Sequence, residues 1–555
     1  MRTRLRSTAA TKPIIRAQGW TGLDFEPTVG YPKSVTMVNA RLGPHSPKTK
    51  QTRHILVVEQ LVELIFGAGK DQQQLLRVIA MTKAMPHSDH LPLVSRLSGQ
   101  ADRLETAQVA IEAAFTELAK LAKLDDPLRS ALAELYGSVA PQNNVRNNIL
   151  YWLSTEASPA SVLLWCNLIT DSPPKNANGL IQAFTPMFQN PNLPQEVFDK
   201  LAAQGISHPE IASASLDLMN FHARSGNLPN HPAIERAPQL ASLLGSVVQQ
   251  MARVEEGNVP ADLSPQELSS RVSESVALTI SLCDAIGLMD YQEGVGKLNQ
   301  AMQLKHRRIQ TEAAAALARM QIEEGRTNLC KLAEEPIARL RVLAFAEELG
   351  FLEEVAVEHQ TEVAIAESQL AVWLAEPTQM AVPPSSLELM NSREMYWPSY
   401  DHPVQCFLFR FSYGTEPTYS NVGISGPVTH AFPVNIESLT RDDTYAAFAG
   451  LHAVHDEICQ LSLEQAHGLR GDELRVLLDK LLEQEFDSSE PVFAGSFFGE
   501  LVLIAEAVRN SEPVVVLVDQ ADLFCFTSTS DENRIDPKMA YTIWRGRRLL
   551  EQFNV

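Results

Sequence analysis

Ile309-Gln310-Thr311-Glu312-Ala313-Ala314-Ala315-Ala316-Leu317-Ala318-Arg319-Met320 is followed, 31 residues on, by Leu340-Arg341-Val342-Leu343-Ala344-Phe345-Ala346-Glu347-Glu348-Leu349-Gly350. Both segments read as helices. Alanine at this density lets neighbouring helices approach closely, while Leu317, Met320 and Leu349 supply apolar contacts that one repeat cannot bury alone. The reading that follows is a stack of helix pairs.

Working outward, Arg53 to about Glu376 is a succession of helical patterns broken by short Pro, Gly, Asn and Ser punctuation, with no run of strand alternation. Ser264-Pro265-Gln266-Glu267 sets a Ser N-cap, a Pro at the first helical position and a Glu placed to bond back to the cap. Pro194, Pro209 and Pro232 open helices similarly, and Gly205 and Gly226 close two.

The segment from Leu304 to Leu352 resembles HEAT-like repeats of the phycobilisome-lyase type, specifically their VRxxAAxAL kind of second helix. The match is weaker at His208-Pro209-Glu210-Ile211 and His231-Pro232-Ala233-Ile234 and is not visible before Ser158. The resemblance implies a right-handed superhelix of helix pairs with a concave face for partners. It says little about activity, because such repeats serve scaffolds, lyases and nucleic-acid proteins alike.

After Glu376 the texture changes, through Pro377, Pro383-Pro384-Ser385-Ser386 and a Trp- and Tyr-bearing stretch ending at Tyr400. Val404 to Tyr413 alternates as a strand, Asn421 to Ile424 and Val428 to Phe432 are extended, and Pro513 to Asp519 with Leu523 to Ser528 form a strand pair. Thr440 to Leu461 and Asp472 to Phe486 read as helices, Glu500 to Arg509 as helix or strand, and Asp536 caps a last helix at Pro537. The expected fold is therefore mainly α. A basic, disordered tail over 1–52 precedes an α-solenoid of HEAT-like helix pairs over 53–376, a linker over 377–400 and a smaller α/β (α+β) domain over 401–555.

Composition narrows the function. A hydrophobic share of 45% and a charged share of 20% describe a globular chain, and 46 Lys and Arg against 67 Asp and Glu leave a net charge of −21. Ten of those cations lie in the first 58 residues against only Asp24 and Glu26, a local +8 that leaves −29 on the remainder. A body so acidic argues against nucleic-acid binding. The Arg- and Ser/Thr-rich start is also the composition of an organellar transit peptide, though a disordered tail or a start codon placed too early is preferred. Six scattered cysteines without a CxxC read as thiols of a reducing cytoplasm, and no apolar run is long enough to span a membrane.

Two groups of residues could carry chemistry. If Thr440 to Leu461 is one helix, Phe448, His452, His455 and Cys459 line one face with Asp456 beside them, so His452, His455 and Asp456 could hold zinc, with His430 as a further ligand. The plainer alternative makes Ala447, Leu451, Val454 and Ile458 a core stripe with the histidines at its edge. Arg545, Arg547 and Arg548 beside Trp544 could grip a carboxylate or phosphate, or else pair with the acidic surface of their own domain. Lys305-His306-Arg307-Arg308 carries the same ambiguity. Gly423-Ile424-Ser425-Gly426-Pro427 reads as a turn between strands, and Ser496 is one residue out of frame for a nucleophile elbow.

The expected function is a non-catalytic, cytoplasmic interaction scaffold that binds a protein partner along the helical surface and needs no cofactor. The alternative is an enzyme, either a chromophore lyase-like protein by analogy with the repeat family or a metal-dependent activity in the C-terminal domain.

Overall fold

The computed structural model describes residues 47–555 except 122, 177–178, 260–262, 415–418, 528–534 and 555. Most of the basic 1–52 segment thus lies outside the described residues, and its last residues belong to the first helix. The described chain divides into a helical unit ending at Leu332 and a C-terminal unit starting at Ala333. Among the described residues no helix is long and apolar enough to cross a membrane.

The helical unit comprises α1 (Pro47–Ala68), α2 (Gln72–Lys83), α3 (His90–Ser98), α4 (Gln108–Leu121), α5 (Asp126–Ser138), α6 (Val145–Glu156), α7 (Pro159–Asp171) and α8 (Leu180–Gln189). It continues through α9 (Gln195–Ala203), α10 (Ala212–Arg224), α11 (Ala237–Glu255), α12 (Pro265–Leu288), α13 (Val295–Met302), α14 (Arg307–Arg319) and α15 (Glu323–Leu332). Caps explain many of the starts. Asp71 accepts the amides of Gln73 and Gln74, and Asp125 and Ser158 each cap a helix with Pro in its first turn. At Ser264 the expected capping box is complete: Glu267 N donates to Ser264 Oγ (3.2 Å), and Ser264 N donates to Glu267 Oε2 (2.9 Å). Each cap is worth about 1 kcal/mol, so burial must supply most of the stability.

That burial runs in two rows. In one, α2 packs on α4, α4 on α6, α6 on α8, α8 on α10, α10 on α12 and α12 on α14. In the other, α1 packs on α3, α3 on α5, α5 on α7 and α7 on α9. Small residues set the spacing where the sequence is richest in them. A Cβ at Gly287 of α12 would lie 2.8 Å from Ala316 Cα of α14, and one at Gly325 of α15 would lie 2.7 Å from Ala318 N. Ile309 and Ala313–Ala318 are all buried, which accounts for the alanine run.

The C-terminal unit opens with α16 (Pro336–Glu348) and α17 (Glu362–Leu374). Arg339, almost fully buried, joins them: it donates to the carbonyls of Ala333, Glu334 and Ala364 and to the Glu367 carboxylate. An antiparallel sheet follows in the order β1 (Ser386–Tyr396), β2 (Pro403–Tyr413), β3 (Tyr419–Ser425) and β4 (His430–Ala431). Next come α18 (Arg441–His452), β5 (Ile458–Leu461) and α19 (Leu463–Leu482). A second antiparallel sheet runs β5, β6 (Ser488–Phe497), β7 (Glu500–Arg509), β8 (Glu512–Val518), β9 (Leu523–Thr527), and α20 (Pro537–Phe553) closes the chain.

Strand alternation distributes these layers. On β2, Cys406 and Leu408 face a central core shared with α18, α20 and the second sheet, while Phe407, Phe409 and Phe411 face Ala366, Leu370 and Leu374 of α17. On β7, Val502 and Ile504 face the same central core, while Leu501, Leu503 and Ala505 face α19. The order is α17, first sheet, α18 with α20, second sheet, α19.

This order is an internal duplication. Each half is a helix, a meander of four antiparallel strands and a second helix, with β5 added at the edge of the second sheet, and the first strand of each meander carries a bulge at the same place, Met390 in β1 and Val492 in β6. The second helices match in sequence as well, Tyr445-x-x-Phe448-x-Gly450 against Tyr541-x-x-Trp544-x-Gly546. They cross at the glycines. A Cβ on Gly450 would collide with the carbonyl oxygen of Thr542, and one on Gly546 with that of Ala446. All of these helix positions are paired at one offset of 96 residues, as expected for a local two-fold relation.

Several expectations change. Residues 386–396, read as linker, are β1, because pairing with β2 takes up their backbone groups and Trp397 is buried in the central core. The unit boundary falls at 332/333 and not near 376, since α17 lays its apolar stripe on the first sheet. The expected helix from Thr440 to Leu461 stops at His452, and Ile458–Leu461 instead pairs with Ala494–Phe497 of β6. Glu500–Arg509 is strand. The β8–β9 pair, the Asp536 cap and the turn after β3 match the sequence reading.

Candidate functional site

The broken helix separates the proposed metal ligands. His452 ends α18 and accepts a hydrogen bond at Nδ1 from Trp397 Nε1 (3.0 Å), while burial lowers its pKa. His455 and Asp456 lie exposed in the connection to β5, where His455 Nδ1 accepts from Glu457 N (3.1 Å) and its ring rests 4.8 Å from Phe498. His430 is held among Trp373, Phe432 and Phe448, and burial lowers its pKa too. The core stripe also fails as drawn: Ala447 and Ile458 are buried, but Leu451 and Val454 are exposed. Among the described residues no three His, Cys, Asp or Glu side chains are grouped to hold a metal ion.

The arginine cluster is largely spent on its own domain. Arg547 pairs with Asp443 of α18 (2.5 Å) and Arg548 with Glu500 of β7 (2.5 Å). Arg545 lies over the Tyr541 ring, 5.4 Å from its centroid, with Nε lacking a hydrogen-bond partner among the described residues, and burial lowers its pKa. At the matching positions of α18 stand Ala449, Leu451 and His452. Arg547 therefore ties the two halves together and Arg548 ties α20 to the second sheet, roles the sequence could not reveal because the acids are 104 and 48 residues away.

The even-numbered row of the helical unit gathers a different set. Leu76 of α2, Val109 of α4, Ile181 of α8 and Phe221 of α10 are large apolar side chains left exposed. Phe221 sits edge-on to Phe188 of α8, 5.4 Å between centroids, which makes an aromatic pair spanning two helices of the row. The sequence placed these residues on helices, but an apolar residue type does not distinguish a core position from a surface one.

Behind this surface, α10 and α12 are locked by polar groups. Ser281 Oγ donates to Asp217 Oδ1 (2.7 Å), Asn220 Nδ2 donates to the Ser281 carbonyl (3.0 Å), and Arg224 pairs with Asp284. His231 is buried with its roles set by its neighbours. Its Nδ1 accepts from Ala233 N (3.1 Å), so Nε2 carries the proton donated to Asn220 Oδ1 (2.9 Å). Desolvation lowers His231 to about 4. It raises Asp217 to about 7, with the Asp284 and Glu312 carboxylates adding to the rise against the Ser281 bond and Arg308.

Comparison with family models, curated proteins and solved structures yields no match. The geometry alone has to carry the functional reading.

Proposed function

We propose that residues 47–332 form a solenoid of HEAT-like helix pairs, of the phycobilisome-lyase repeat type, that serves as a non-catalytic scaffold and binds a protein partner along its even-numbered helices. The observation that supports this most is the row of α2 to α14, each helix packed on the next even one, with Leu76, Val109, Ile181 and Phe221 exposed along it and Phe221 edge-on to the half-buried Phe188. Stacked arrays of this kind offer an extended surface to partners, and exposed aromatic pairs are the side chains that most often anchor an interface. The −29 carried beyond residue 58 favours a basic or mixed partner steered by charge. Six free cysteines fit a reducing cytoplasm.

The test is a double substitution, Phe188→Asp with Phe221→Asp, in the intact chain. Phe221 is exposed, so a charge there costs little folding stability, whereas two charges in a desolvated interface should weaken binding by at least about a hundredfold. Affinity capture from the native cell with both proteins as bait reads the result. A partner recovered equally by the wild type and the variant would remove this surface from the interface.

A further inference from the structure

The helical unit contains a cleft of about 350 Å³ between the last turns of α11, the first half of α12 and the residues leading into α14. Met251, Val254, Leu263, Leu268 and Val272 form its apolar wall. Leu268 and Val272 lie one turn apart on α12 and are only partly covered, so this part of the helix presents an apolar face without a full protein partner.

The charged lining is Arg271, Lys305 and Glu255, with His306 beside them. Glu255 accepts the Lys305 backbone N–H at both carboxylate oxygens (2.9 and 3.0 Å), which anchors the start of α14 to the end of α11. Among the described residues neither the Arg271 guanidinium nor the Lys305 ammonium has a carboxylate at ion-pair distance. Arg271 stands one turn after the exposed Glu267, whose carboxylate is engaged by Ser264. His306 is half-buried with Nδ1 unpartnered among the described residues, and burial and Arg308 lower its pKa, so it adds a polar group and no charge near neutral pH. The lining thus carries one surplus positive charge beside an apolar wall.

We propose that this cleft binds a medium-chain acyl carboxylate, with the alkyl chain against the Met251–Val272 wall and the carboxylate held by Arg271 and Lys305. A neutral chain would leave both cations unused, and a cationic head would face the surplus charge. The volume lies near the lower end of small-molecule sites, roughly 300–1,000 Å³, which suits a single chain better than a two-chain lipid. This site uses none of Leu76, Val109, Ile181, Phe188 or Phe221 and gives the Lys305-His306 motif a role.

Titration calorimetry of the intact chain with octanoate, decanoate and dodecanoate tests it, with decanol and decyltrimethylammonium as controls. Each added methylene should tighten binding about fourfold until the cleft is full. Decyltrimethylammonium should bind at least about tenfold more weakly than decanoate. Arg271→Ala with Lys305→Ala, both on exposed residues, should weaken decanoate by about tenfold or more and leave decanol within about twofold. Val272→Trp, which fills the cleft, should abolish both, with urea unfolding showing that each variant is folded. Failure of dodecanoate to bind at about 1 mM, undiminished binding to folded Val272→Trp, or decyltrimethylammonium binding as tightly as decanoate would each overturn the proposal.

Discussion

Replacing Gly546 with alanine is expected to destabilise the C-terminal unit by roughly 3 kcal/mol or more. The added Cβ would lie 1.7 Å from the Ala446 carbonyl oxygen, so α18 and α20 would have to move apart along a crossing that forms the middle of the central core. Alanine gains about 1 kcal/mol of helix propensity over glycine, and the steric cost outweighs it. The two-fold relation predicts the same for Gly450→Ala, whose Cβ meets the Thr542 carbonyl. Gly468→Ala on α19 is the control: nothing lies within 4 Å of its Cβ, so it should be neutral or stabilising. Urea unfolding monitored by near-ultraviolet circular dichroism separates these outcomes. Gly546→Ala with an unchanged midpoint would mean that the helices do not cross this closely.

The second large effect depends on pH. Asp217 titrates near 7 in the folded chain and near 3.8 as an ordinary aspartate, so folding takes up its proton in that window. Its contribution to stability is complete below about pH 4 and is lost as the pH rises towards 7, a change on the order of 4 kcal/mol. His231 runs the other way. Lowered from 6.5 to about 4, it favours folding above about pH 6.5, and that contribution is lost as the pH falls towards 4. The two nearly cancel in the wild type, whose stability should vary little across the window on their account. Asp217→Asn keeps an acceptor for Ser281 and removes the titration, so its advantage over the wild type should be near zero at pH 4 and reach about 4 kcal/mol at pH 7.5. A constant difference across that range, in urea unfolding followed at each pH, would show that Asp217 does not keep its proton in the folded chain.

What could be read from residues alone follows the range of the interactions involved. Local signals were legible: Ser264 with Glu267, Asp536 before Pro537, and the apolar run of β8 all act within a few residues, and the structure bears them out. Residues 386–396 and 458–461 were not, because their strand character comes from pairing with β2 and β6, and their own composition is rich in turn and helix formers. The duplication is written in Tyr445, Phe448 and Gly450 against Tyr541, Trp544 and Gly546. The flanking residues differ so much, Arg441-Asp442-Asp443 against Pro537-Lys538-Met539, that it emerges only when the helices are superposed by role. The candidate sites divide in the same way. The basic character of Arg547 and Arg548 was plain, but their partners Asp443 and Glu500 arrive through the tertiary fold. Conversely, the residue type of Phe188 and Phe221 does not separate core from surface, and only packing shows Phe221 exposed.

The scaffold reading is tested most directly by comparing three baits in affinity capture from the native cell: the intact chain, residues 47–332 and residues 333–555, each checked for folding by circular dichroism. The account predicts that the partner of the intact chain is recovered by residues 47–332, with association slowing as salt rises because the acidic body steers the encounter. Recovery by residues 333–555 alone, with nothing specific on the folded helical unit, would contradict it and move the function to the duplicated C-terminal unit.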